Sequence, residues 1–141
     1  MFKATSSFLK AIKDLRKDKN CRKIEVLKKI VEEVINNSEE GLINIFSDKA
    51  LNLAIFKKRL PHPGVKGGKS GGLRIIFAFY EDERDFSVIF VALYPKNETE
   101  NISTREILEI INRDPIEDLN LDFPQNVLEN LKEILRGEAK F

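Results

Sequence analysis

One cysteine, one histidine and no tryptophan occur in the 141 residues. Cys21 cannot close an internal disulfide and has no cysteine or histidine at metal-ligand spacing, so it is expected to be a reduced thiol in a cytosolic protein. His62 as the sole histidine excludes the paired-histidine design of acid–base nucleases. No apolar run approaches the roughly 20 residues of a membrane-spanning helix. The opening "MFKATSSFLKAIKDL" scatters single apolar residues among lysines and lacks the apolar core of a signal peptide. A cytoplasmic protein with no membrane partner is therefore expected. Acids are also missing locally: residues 49–80 hold seven bases (Lys49, Lys57, Lys58, Arg59, Lys66, Lys69 and Arg74) and no acid. Without paired carboxylates in that segment, two-metal hydrolysis is disfavoured, and neither metal nor cofactor is expected.

Apolar residues make up 42% of the chain and charged residues 33%, as in a soluble globular protein of one-domain size. The net charge is only +1, yet residues 97–141 carry 11 acids against 5 bases. A basic middle beside an acidic final third suggests that one surface faces a polyanion while another does not.

Periodicity supplies the elements. A short strand at Phe2–Ala4 is followed by "SSFLKAIKDLRKD", where Phe8, Leu9, Ile12 and Leu15 recur at helical intervals behind serines suited to N-capping. Asn20 is a candidate cap for a second helix, in which Ile24, Leu27, Ile30, Val31, Val34 and Ile35 form one stripe ending near Asn36 and Asn37. The segment 38–52 is irregular, and 53–60 reads as a strand closed off by Pro61 and Pro63. From Leu73 the period is two, with Leu73, Ile75, Phe77 and Phe79 on one face and Arg74, Ile76, Ala78 and Tyr80 on the other. "FSVIFVALY" is apolar on both faces, as in a central strand, and the turn "EDERD" joins the two into a hairpin. Ser103 and Glu106 match a capping box before a third helix. "NRDPIEDLNLDFP" reads as a turn-rich connection, and Pro124 opens a last amphipathic helix stopped by Gly137.

Between strands lies "PHPGVKGGKSGGLR", which contains Gly-Lys-Ser. A phosphate-binding Walker loop requires a glycine five residues before that lysine's glycine and a helix afterwards. Pro63 occupies the required position, and a strand follows, so this is not such a loop. Five glycines there relieve steric cost where φ must be positive.

"GGKSGGLRIIFAFY" followed by "IFVALYPKNETENIS" resembles the RelE/ParE superfamily of type II toxins, in its HigB-like branch. That branch shows Gly-Lys-Ser-Gly-Gly-x-Arg before one strand and Leu-Tyr-x-Lys-x-Glu after the next. The resemblance implies an α+β fold with two N-terminal helices packed on a small, mainly antiparallel sheet, here with additional C-terminal helices. Residues 1–112 would form the toxin domain, and 113–141 a helical extension packed on it. It also implies a metal-independent, ribosome-dependent mRNA endonuclease that inhibits translation and is held inactive by a cognate antitoxin, a helix-turn-helix DNA-binding protein. Motif matching points to Lys69, Arg74, Tyr94 and Lys96 as catalytic, and to Lys58, Arg59 and Lys66 as RNA-binding; Lys57 of the same basic strand and the loop residue His62 are further RNA-binding candidates.

The residue types suit that chemistry. Metal-free RNA cleavage needs a base for the 2′-hydroxyl proton, cations for the phosphorane and an acid for the leaving 5′-oxygen. A lysine among other cations loses proton affinity, which makes Lys69 the candidate base. Arg74 suits bidentate phosphate clamping, and Tyr94 suits either base stacking or proton transfer. Two alternatives stand: a ParE-like non-catalytic toxin acting on DNA gyrase, and a degenerate relative that only binds RNA or a protein partner. For the acidic tail, folding over the basic face competes with ordinary packing.

Overall fold

Alternating apolar residues pair the strands, and helical stripes cover them. The computed structural model describes residues 1–15, 23–36, 39, 41–60, 72–83, 85–95 and 102–139. Along the chain these form β1 (Phe2–Thr5), α1 (Ser6–Leu15), α2 (Lys23–Asn36), β2 (Leu42–Asp48), β3 (Leu53–Leu60), β4 (Leu73–Glu81), β5 (Phe86–Pro95), α3 (Thr104–Arg113), β6 (Ile116–Asp118) and α4 (Gln125–Glu138). The strands make one six-stranded sheet in the order β2-β3-β4-β5-β1-β6. Every neighbouring pair is antiparallel except β1 with β5, which run parallel. The protein is thus α+β with a mainly antiparallel sheet. No helix among the described residues is long and apolar enough to cross a membrane.

The main core lies on one face of the sheet. Phe56, Leu73, Ile75, Phe77, Phe79, Phe86, Val88 and Phe90 point into it and meet Phe8 and Ile12 of α1, Leu27, Ile30, Val31 and Val34 of α2, and Leu128, Leu131 and Leu135 of α4. Phe90 is its hub, with ring centroids 5.3 Å from Phe8, 6.2 Å from Phe2 and 6.2 Å from Phe77. The acidic C-terminal helix therefore packs with the N-terminal helices. Arg136 ties it to the end of β4 through an ion pair with Glu81. The opposite face buries Ile55, Ile76, Ala78, Val91, Ala92 and Tyr94 against Ile107 of α3.

Several local expectations change. The irregular stretch after α2 contains β2, whose pairing with β3 shifts register between Asn44 and Phe46, so its apolar residues do not alternate cleanly. The connection after α3 contains β6, three exposed residues on β1 with no apolar pattern to reveal them. Gly137 lies inside α4, which ends at Ala139 as its C-cap. Thr5, rather than a serine, caps α1: its hydroxyl oxygen accepts from the Phe8 N–H at 3.2 Å. The proposed cap Asn20, and Cys21, lie outside the described residues.

Ser6 and Ser7 instead join α1 to the end of α3. The Asp114 carboxylate accepts from the Ser7 N–H at 2.9 Å and the Ser7 hydroxyl at 2.5 Å, while the Ser6 N–H donates to the Pro115 carbonyl at 3.0 Å. Burial works to raise the Asp114 pKa, but hydrogen bonds from Ser7, Arg113 and Ser6 together hold it below its ordinary 3.8. A carboxylate at a helix N-terminus is also favoured by the helix dipole.

Two outcomes follow for stability. Because the folded pKa is depressed, the stability that Asp114 supplies is complete above its unfolded value and lost as pH falls through the folded one. Asp114→Asn should cost about 1–3 kcal/mol at pH 7 in urea unfolding, and the gap to the parent should close below about pH 4. Nothing lies within 4 Å of a Cβ built on Gly137. Gly137→Ala should therefore raise stability by about 0.5–1 kcal/mol, read as a higher midpoint in the same titration.

Candidate active site

Three neighbouring strands place Arg59, Arg74 and Tyr94 in one row. Arg59 of β3 is the register partner of Arg74 of β4, which is in turn the partner of Tyr94 of β5. Directly opposed side chains have Cβ atoms about 4.5–5.5 Å apart. Like charges on directly opposed residues are unfavourable, and an anion set between them relieves the repulsion. Lys57, two residues before Arg59 and so on the same face, extends the positive surface toward its β2 partner Ile43. These groups line a cleft of about 310 Å³ bounded by Gly41, Ile43, Lys57, Arg59 and Arg74. Three of those five lining residues are cations and none is an acid. Ile43 is 56% exposed, which leaves an apolar surface beside the charges.

Tyr94 reaches this face through a change of phase in β5. Ile76 pairs with Ala92 but the next residue, Phe77, pairs with Phe90, leaving Val91 as the extra residue of a β-bulge. Val91 and Ala92 consequently both face α3, and the alternation after them is reversed. With strict alternation Tyr94 would share the face of Phe90, in the main core. The bulge carries it instead to the face of Arg74.

Beside the cleft, Tyr94 is 6% exposed, and its hydroxyl has no hydrogen-bond partner among the described residues. Burial raises its pKa above the ordinary 10.0, and the positive charge of Arg74 partly offsets this. The phenol is thus held protonated, with a cation placed to stabilise the phenolate that would form once the proton leaves. That combination suits a proton donor.

Gly72 fixes the approach to this row. Its φ is +75°, and a Cβ there would stand 2.9 Å from the Leu60 carbonyl oxygen and 3.8 Å from Arg59 Nε. Any side chain would force apart the ends of β3 and β4 where the two arginines lie. Of the glycines in the loop, this one has a demonstrable steric role.

The other candidates divide. Lys58 points to the opposite face and is only 1% exposed. The structure does not bring it to the cleft, because alternation along β3 sends it away from Lys57 and Arg59. His62, Lys66, Lys69 and Lys96 lie outside the described residues, although Leu60 and Gly72, which flank the loop bearing the first three, are described. Gly41 and Ile43 were missed from sequence because β2 was missed. The only signal there was a glycine preceding the apolar "LINIF".

A family model described as the RelE toxin of the RelE / RelB toxin-antitoxin system matches residues 9–115, more than half of the chain. No curated protein matches it.

With only two tyrosines in the chain, Tyr80→Phe isolates the titration of Tyr94. In that background, NMR of ¹³C-labelled tyrosine should show Tyr94 titrating above 10.0. Arg74→Met should move the midpoint further up, since the group that lowers it is gone. An ordinary midpoint, or no response to Arg74, would contradict the burial and proximity described above.

Proposed function

The chain belongs to the RelE family of toxins of toxin-antitoxin systems, and we propose that it is an endoribonuclease of the HigB-like branch that cuts messenger RNA on the ribosome without a metal. The observation that carries this reading is the row Arg59–Arg74–Tyr94, two cations suited to phosphate beside a buried phenol whose pKa is raised. Membership of the family implies an antitoxin partner. We take that partner to be a helix-turn-helix protein, the setting to be the cytoplasm, and residues 113–141 to be an extension added to a toxin domain of residues 1–112.

The chemistry follows from where charge develops. Arg74, with Arg59 opposite it, holds the scissile phosphate and stabilises the added negative charge as the 2′-oxygen attacks. Tyr94 gives its proton to the departing 5′-oxygen, and Arg74 stabilises the resulting phenolate. Lys69 is assigned the removal of the 2′-hydroxyl proton, with Lys96 as a further catalytic cation. Lys57, Lys66 and His62 hold the RNA backbone around the cleft. Lys58 is withdrawn from this set because its side chain faces the core.

The test is cleavage of a defined mRNA by purified protein, alone and with programmed ribosomes, mapped by primer extension. A new cut in the ribosomal A-site codon is expected, reduced by about 10²-fold or more in Arg74→Ala and in Tyr94→Phe. A folded protein that makes no cut but blocks supercoiling by gyrase would overturn the reading in favour of the non-catalytic one.

A further inference from the structure

The bulge that presents Tyr94 is held by a residue outside the cleft. β1 pairs with β5 in parallel through Ala4 and Phe90, and the ladder stops there. At the next position the Thr5 hydroxyl donates to the carbonyl of Val91, the extra residue of the bulge, at 2.8 Å. The same oxygen accepts from the Phe8 N–H at 3.2 Å, capping α1. Thr5 is fully buried, and it is one of only two buried polar or charged residues among those described. A bulge residue loses its regular ladder partner, and an unpaired buried carbonyl is costly. The Thr5 side chain removes that cost for the bulged arrangement.

We propose that Thr5 is a positioning residue for the RNA-cleavage reaction: by binding the Val91 carbonyl it fixes the bulge that turns Tyr94 to the side of Arg74. The catalytic half of this inference rests on Tyr94 acting as proton donor, whereas the geometric half does not. Thr5→Val keeps the shape and removes both hydrogen bonds, while Thr5→Ser keeps the hydroxyl. A residue that only contributed stability would change the unfolding midpoint and leave the Tyr94–Arg74 relationship intact. A positioning residue changes that relationship in protein that is still folded.

The decisive experiment is a double-mutant cycle on the Tyr94 titration in the Tyr80→Phe background. In Thr5→Val the response of the Tyr94 midpoint to Arg74→Met should disappear, and in Thr5→Ser it should persist. On programmed ribosomes, turnover by folded Thr5→Val should fall by about tenfold or more with KM little changed, and adding Tyr94→Phe should lower it little further. An unchanged Arg74 response in folded Thr5→Val would overturn the inference. If Thr5→Val does not fold, Thr5→Ser decides, since loss of the Arg74 response in a folded protein that retains the hydroxyl would equally overturn it. Should the parent cut no RNA at all, the enzymatic reading fails, and the titration cycle still judges the geometry.

Discussion

The single extra residue in β5 governs what each face of the sheet carries. Before it, Phe86, Val88 and Phe90 face the helices; after it, Leu93 keeps to that side and Tyr94 takes the other. Because a strand's side chains alternate with period two, a one-residue insertion is the smallest change that moves a whole strand end to the opposite face. The slip is pinned on both flanks. Phe90, immediately before it, is held by the rings of Phe2, Phe8 and Phe77. After it, Leu93 and Tyr94 resume the ladder with Ile75 and Arg74. The bulged backbone satisfies both anchors, and the Thr5 hydroxyl donates to the carbonyl of its extra residue.

The same layering resolves the uneven charge of the chain. α4 buries its leucines in the main core, behind the sheet as seen from the cleft, so its exposed Glu129 and Glu133 lie on the far side. The sheet and the main core therefore lie between those acids and the pair Arg59 and Arg74. α4 supplies packing, through Leu128, Leu131 and Leu135, on the face of the sheet opposite the basic cleft. A net charge near zero is compatible with a positive cleft because the acids of α4 lie across the sheet from it.

Much of this was legible in the sequence where one physical signal acted alone. β4 alternates cleanly, so the membership of its two faces, including Arg74 on the face opposite Leu73, Ile75 and Phe77, follows from spacing. α2 has an unambiguous stripe, and Ser103 does cap α3, accepting from the Glu106 N–H at 3.1 Å. Legibility failed where signals overlapped. β5 is apolar on both faces, so a slip in phase leaves no trace in hydrophobicity, and Tyr94 was placed by motif rather than by period. β2 carries its own irregularity and an exposed isoleucine. β6 is three exposed residues held only by backbone pairing with β1. Gly137 reads as a stop, yet helix packing through Leu135 outweighs a propensity cost of about 1 kcal/mol.

Among the described residues, Tyr94 carries the one buried side-chain polar atom without a hydrogen-bond partner. A buried hydroxyl without a partner costs about 1–3 kcal/mol, and such groups are uncommon in folded proteins. Phenylalanine would fill the same space among Ile76, Val91 and Ile107 without that cost. Keeping the phenol makes physical sense if a reacting oxygen becomes its partner, since the lost hydrogen bond is then recovered when substrate is present. Burial and Arg74 divide the two requirements of a proton donor between them. Burial favours the protonated phenol, and the charge of Arg74 favours the phenolate.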